Sequence, residues 1–363
     1  MRVFIGTANG VKRLVTALCA VAVGGLLLAF PQAAANGVTR GLAVCTEQLI
    51  PSLFPFLVLS GFLIKSGIAA DVGRRAAPLM RPLGLSGVAA TALTLSVLGG
   101  YPSGANAVAG LLEQELIDRD EGENLMRVCV HAGPAFVLGG VGVGMLGSWQ
   151  AGALLLAAHW LSSFLILLCS RGRSSASAPR QAVTYPPLAT AVTASVHDAA
   201  RSLVGMCGFV LLASCALSLT DALGAGHTVH SVWRCALACL TEVTNGCVEA
   251  ASMGAAAPFW LGAALGFGGL SVHGQIAART APFRLLSPAF FAARLWHALL
   301  GGWISQLLFW WVRPPMPAVP SGAALSSLTS DNPVVASSGL VAMVLMCVLL
   351  LYTIPLQKPN TTP

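Results

Sequence analysis

LGGYPSGANAV, residues 98–108, and TEVTNG, residues 241–246, decide how this chain is read. Each interrupts an apolar run with Gly, Pro, Asn, Ser or Glu. A lipid-exposed helix does not carry such breaks, because a backbone group left unpaired in hydrocarbon costs several kcal/mol. They survive only where protein or a water-filled cavity covers them. Residues 86–112 and 232–251 are therefore expected to be re-entrant or broken helices.

Working outward, the rest of the chain is the apolar setting those breaks require. Of 363 residues 56% are hydrophobic and 9% charged, against roughly 25% charged in an ordinary soluble domain. Mean hydropathy is +0.78. The bilayer is the expected partner, and the fold class is an all-α membrane protein. Stretches able to span are 14–35, 49–64, 128–147, 150–170, 201–223, 258–278, 288–311 and 334–354. The first follows Arg2, Lys12 and Arg13 and precedes Gln32-Ala33-Ala34-Ala35, a pattern shared with signal peptides; its length favours an uncleaved helix. The +7 net charge is spread over short loops with no basic run interleaved with aromatics, so no nucleic-acid partner is expected. The ten cysteines form no CxxC pair and read as small packing residues.

Loop charge gives a topology. Arg2, Lys12 and Arg13, then Lys65, Arg74, Arg75 and Arg81, then Arg171, Arg173 and Arg180, then Arg279 and Arg284 mark four cytoplasmic segments under the positive-inside rule. Eight spans and two segments that return to their side of entry satisfy all four. The result is a multi-pass cell-membrane protein with both termini cytoplasmic. The first half also closes if 86–112 crosses and 128–147 re-enters. With 86–112 and 232–251 both returning, the order of elements repeats in inverted sense. The expected divisions are an N-terminal helix at 1–44, a first repeat at 45–170, a polar linker at 171–198, a second repeat at 199–311, and a final helix and tail at 312–363.

Inverted repeats with paired discontinuous helices are the pattern of secondary transporters, whose substrate sits near the midplane between the breaks. The first break offers Tyr101, Ser103 and Asn106, the last two sharing a helical face. The second offers Glu242 and Asn245, with Glu249 on the same stripe. A carboxylate within a membrane segment costs at least about 2.5 kcal/mol on insertion scales, so it marks an ion or substrate path. Beyond the glycine run at 266–269 come Ser271 and Gln275 on one face, with His273 turned elsewhere. Arg294 and His297 read as a snorkelling arginine and its neighbour. Walker A, HExxH, GxSxG and metal-ligand spacings are missing. No enzyme, catalytic residue, metal or cofactor is expected, beyond a coupling proton or sodium ion. An intramembrane hydrolase built on Ser103 is a minor alternative.

LIPSLFPFLVLSGFL (49–63), GGYPSGANAV (99–108), AGPAFVLGGVGVGML (132–146), TEVTNG (241–246) and FGGLSVHGQ (267–275) together resemble the sporulation integral membrane proteins of the nucleoside-recognition, or Gate-domain, group. The resemblance implies a fold related to concentrative nucleoside transporters. For sporulation members it implies movement of dipicolinic acid across the outer forespore membrane. The expected function is alternating-access transport of a small polar or anionic metabolite. A non-transporting scaffold in spore or envelope assembly is the alternative.

Overall fold

The computed structural model describes residues 2–170, 185–223 and 231–315. The span expected at 334–354 and the linker over 171–184 lie outside them. Among the described residues all regular structure is helical.

Helix α1 (Arg2–Ala29) stops at Phe30, and Pro31 opens α2 (Pro31–Val44). Proline's fixed φ suits a first helical turn, and its missing N–H cannot continue a preceding helix. α2 runs through a wide π turn at Cys45–Leu49 into α3 (Ile50–Lys65). The span expected at 49–64 is thus the second half of one 35-residue helix, Pro31–Lys65. It passes through the division expected at 44/45. Residues 36–48, which lie between two expected spans, are helical, and Gly37 and Gly41 let the backbone close onto its neighbour. A Cβ on Gly37 would stand 2.6 Å from Cys215 Cα, and one on Gly41 3.1 Å from Leu211 Cα. Such small-residue contacts are how helices associate without a hydrophobic drive between them.

That neighbour is α9 (Leu188–Leu223), whose first turns lie in the stretch expected as linker. Gly37 meets Cys215 and Gly61 meets Ser195, so the two long helices are antiparallel. After α3 come α4 (Ile68–Ala76), α5 (Ala89–Gly99), α6 (Tyr101–Glu113), α7 (Arg119–Cys129), a π-helical segment at Ala135–Met145, and α8 (Trp149–Cys169). After α9 come α10 (Ser231–Thr241), α11 (Val243–Ala251), α12 (Ala257–Phe267), α13 (Gly269–Thr280) and α14 (Pro288–Val312). Each half therefore runs a long helix, a pair of short ones (preceded in the first half by the additional α4), a helix broken in the middle, and a closing helix.

The two short helices of each half form a hairpin. Gly100 takes φ +75° and ψ −161° between α5 and α6, a conformation only glycine adopts without strain. A Cβ on Gly104 would lie 2.8 Å from Ser96 Cβ, and one on Gly246 2.8 Å from Cys239 Cα. Contacts between residues seven or eight apart across a one-residue joint mean that the chain doubles back. Segments 86–112 and 232–251 are both re-entrant, and the alternative in which 128–147 re-enters is corrected: α7 and Ala135–Met145 are two parts of a broken helix. The other breaks fall at residues 130–134 and at Gly268, which has φ +85°.

Ion pairs gather at the two ends of this bundle. Lys65–Asp198, Arg74–Asp71, Arg119–Glu123 and Arg279–Glu113 mark one end, and Arg234 with Asp221 and Glu249 the other. Between them the surface is apolar, with Leu59, Leu161, Phe164, Leu212, Leu295, Trp303 and Leu307 exposed. Among the described residues four helical stretches, Pro31–Lys65, Trp149–Cys169, Leu188–Leu223 and Gly254–Phe283, the last interrupted at Gly268, are long and apolar enough to cross a membrane. This is an integral membrane protein.

Candidate functional site

Each hairpin tip rests on the break of its own half. A Cβ on Gly100 would lie 2.8 Å from Gly133 N, and one on Gly269 2.8 Å from Glu242 Cα. The pairs Gly100/Gly133 and Glu242/Gly269 are equivalents in an inverted arrangement, and Gly104 and Gly246 each sit four residues beyond a tip. Both tip-and-break units border one cavity, with about 70 Å³ open to the centre of a water-sized sphere. Its other wall is the antiparallel pair α3 and α9, through Leu49, Leu53, Phe56, Met206 and Phe209.

Of the residues expected to form the site, Tyr101, Glu242, Ser271 and Gln275 line this cavity, joined by Ser60 and Thr244. Glu242 is buried and caps α11: its Oε2 accepts from the Asn245 N–H at 2.8 Å and from Asn245 Nδ2 at 3.1 Å. The stripe of Glu242, Asn245 and Glu249 does not form, because the carboxylate belongs to a residue just outside the helix. Asn245 turns away from the cavity. Its Oδ1 accepts from Ser214 at 2.8 Å and its Nδ2 also donates to the Val210 carbonyl. Glu249 lies at the hairpin base, bidentate to Arg234 at 2.9 and 3.0 Å.

The first break divides its residues. Tyr101 presents its ring to the cavity while its hydroxyl donates to the Leu265 carbonyl at 2.6 Å, capping the end of α12. Ser103 and Asn106 do share a face, but it borders a second, more polar cavity with Lys65, Ser195, Asp198 and Ser202. Asn106 and Gln275 also border a small third cavity beside Arg279. At its mouth the Arg279 guanidinium, bonded to Glu113, holds that carboxyl below the usual carboxylate range. His273 is buried among Phe267, Phe290 and Phe291, ring centroids 4.9 to 5.6 Å away, and takes no part in the cavity.

What the sequence did not disclose is how the first break is satisfied. Arg294 does not snorkel. It is fully buried and donates to the carbonyls of Arg127 and Val130, which the end of α7 leaves unpaired. His159 Nε2 accepts the Ala132 N–H at 3.0 Å, and His297, stacked on His159 at 4.5 Å, donates to the His159 carbonyl at 3.1 Å. Ser96 and His131 Nε2 stand 2.7 Å apart, but both are buried and neither lines the cavity. Ser103, the residue of the hydrolase alternative, donates to the Gly99 carbonyl instead.

Residues 46–149 match the family model Gate, nucleoside recognition. Over 180 residues, 49% of this chain, the sequence is 34% identical to sporulation integral membrane protein YlbJ of Bacillus subtilis (strain 168). The match covers 43% of that relative's length. A solved structure of a CNTnw variant in the intermediate 3 state aligns with 84% of this chain and 86% of its own, at a TM-score of 0.48 and 13% identity. The motifs at 49–63, 99–108 and 132–146 fall within the stretch that matches the family model, and those at 241–246 and 267–275 lie beyond it.

Proposed function

We propose that this integral membrane protein, which carries a nucleoside-recognition Gate region and is related in sequence to a sporulation membrane protein, is a secondary transporter of a small polar metabolite. The observation that carries the reading is convergence: two hairpin tips, two helix breaks and one buried carboxylate border a single cavity. Discontinuous helices with a midplane site between inverted halves suit alternating access, because either half can release its side of the site. Glu242, Thr244, Ser271 and Gln275 would hold the cargo's polar groups, and Tyr101 its apolar body. A coupling proton or sodium ion belongs to the same proposal.

A scaffold for spore or envelope assembly has no use for a cavity walled by four chain breaks, whose cost in unpaired backbone must be met elsewhere. An anionic cargo such as dipicolinate is the finer expectation that the resemblance implies. It would have to bind beside Glu242.

Purified protein in liposomes, offered labelled dipicolinate, nucleosides and related heterocycles under imposed pH and sodium gradients, tests the proposal. Uptake of at least one is expected. Glu242→Gln should cut it at least about tenfold, equivalent to about 1.4 kcal/mol, while Glu249→Gln, at the hairpin base, should leave it within about twofold. No uptake under any gradient sinks the transporter reading.

A further inference from the structure

The two helix breaks are closed by different means. A half-helix C-terminus leaves carbonyls unpaired and carries about half a unit of negative charge. In discontinuous transporter helices such ends and the unwound carbonyls beside them coordinate the coupling cation. At the second break neutral donors serve two of these carbonyls: Leu265 accepts from the Tyr101 hydroxyl at 2.6 Å, and Ala264 from the Gly268 N–H at 2.9 Å. The first break is served by a charge. α7 ends at Cys129, and around that end Arg294 donates to the carbonyls of Arg127 and Val130 while Ser163 donates to that of Val128 at 3.3 Å. The Gly133 carbonyl is taken by the N–H groups of Phe136 and Val137, both at 3.2 Å.

Arg294 reaches this site from α14, 164 residues beyond Val130. Its side chain is fully buried, and no ion pair among the described residues joins it to a carboxylate. Its charge is met by two carbonyls, by the helix end, and by the ring of Phe290, whose centroid lies 5.9 Å from Cζ. Backbone oxygens in place of a hydration shell are the surroundings of a dehydrated monovalent ion. A guanidinium in a protein does not lose its proton, so the charge is permanent.

We infer that Arg294 is a tethered cation standing where a discontinuous transporter helix holds a dissociable one, so that the first break takes no sodium ion and transport does not depend on sodium. A sodium ion entering the break would have to displace the guanidinium from its carbonyls and share a low-dielectric space with a like charge. The inference rests on the transport reading for its second half, and narrows the coupling ion proposed there to a proton. Occupancy of the break stands apart from that reading and is measured apart from it.

Thermal midpoints of the full chain in detergent, in sodium, potassium or choline chloride at matched ionic strength, should agree within about 1 °C for the wild type. Arg294→Ala should lower the midpoint and leave a hole lined by carbonyls. Millimolar methylguanidinium chloride should then raise the variant saturably by at least about 3 °C and leave the wild type unmoved. Arg294→Met, which keeps volume without charge, should stay below the wild type. In liposomes, replacing sodium by choline should change uptake less than about twofold, where coupling is worth at least about fivefold. A saturable, sodium-specific rise in the wild-type midpoint overturns the inference, as does no response of Arg294→Ala to methylguanidinium, full recovery in Arg294→Met, or sodium-driven uptake. If Arg294→Ala gives no monodisperse protein, the wild-type sodium titration decides. Absence of uptake under every gradient sinks the transporter reading alone and leaves the occupancy of the break to the midpoints.

Discussion

Arg294 is the residue whose reading changed most between sequence and structure. A lone arginine in an apolar helix is expected to stretch toward water, since charge in hydrocarbon is costly. Here two carbonyls at the broken end of α7 take the guanidinium instead. It lies at a helix C-terminus, where cations are favoured. Arg294→Leu would leave both carbonyls buried without partners, at about 1–3 kcal/mol each, offset in part by the charge no longer buried. A loss of several degrees in thermal midpoint is expected, measured by size-exclusion after heating in detergent. Arg294→Lys, with one compact head to serve two acceptors, should recover only part of it. An unchanged midpoint in Arg294→Leu would mean that the break is held by something else. Sequence could not locate this role, because it depends on which carbonyls a distant break leaves free. By contrast, Ser271 and Gln275 facing the cavity while His273 faces Phe267, Phe290 and Phe291 follows from helical spacing alone.

Among the elements, the hairpins were the most legible. Gly, Pro and Asn inside apolar runs have few uses in a membrane, and both such runs proved to turn back. Their contents were less legible. The stripe from Glu242 through Glu249 assumed one continuous helix, whereas the helix begins at Val243. Ser103 and Asn106 share the face expected, but which neighbour that face meets is decided by packing against α3 and α9. Hairpin closure itself makes a prediction. Added Cβ atoms on Gly104 and Gly246 would meet the Cys129 carbonyl and the Cys239 backbone respectively. Backbone cannot yield as a flexible side chain does. Gly104→Ala and Gly246→Ala are each expected to abolish monodisperse protein or lower its thermal midpoint sharply, by the several kcal/mol typical of overpacking. Gly110, also in α6, has nothing within 4 Å of an added Cβ. Gly110→Ala should be neutral or gain up to about 1 kcal/mol from helix propensity. Equal effects at all three glycines would refute the hairpin geometry.

At the scale of the whole molecule, the inverted order of elements was inferred from loop charge, and its counterpart in space is the separation of ion pairs to two ends. Antiparallel α2–α3 and α9 place Lys65 beside Asp198 at one end and leave Asp221 with Arg234 and Glu249 at the other. The expected 14–35 and 49–64 spans missed that Pro31–Lys65 is one helix, because the close packing of Gly37 and Gly41 on α9 is a contact between distant parts of the chain. The arrangement commits the chain to sidedness that labelling can read. Single cysteines at Gly87, Glu113 and Asp198 should react with a charged, membrane-impermeant thiol reagent from one face of sealed vesicles. Cysteines at Asp221 and Glu249 should react from the opposite face, each measured above the wild-type background of exposed Cys19 and Cys169. Under the positive-inside rule the Asp198 face is expected to label from the cytoplasmic side. The decisive pair is Gly87 and Glu113, which flank the first hairpin. If they label from opposite faces, that segment crosses, the two halves no longer mirror each other, and the cavity loses the tip that closes it.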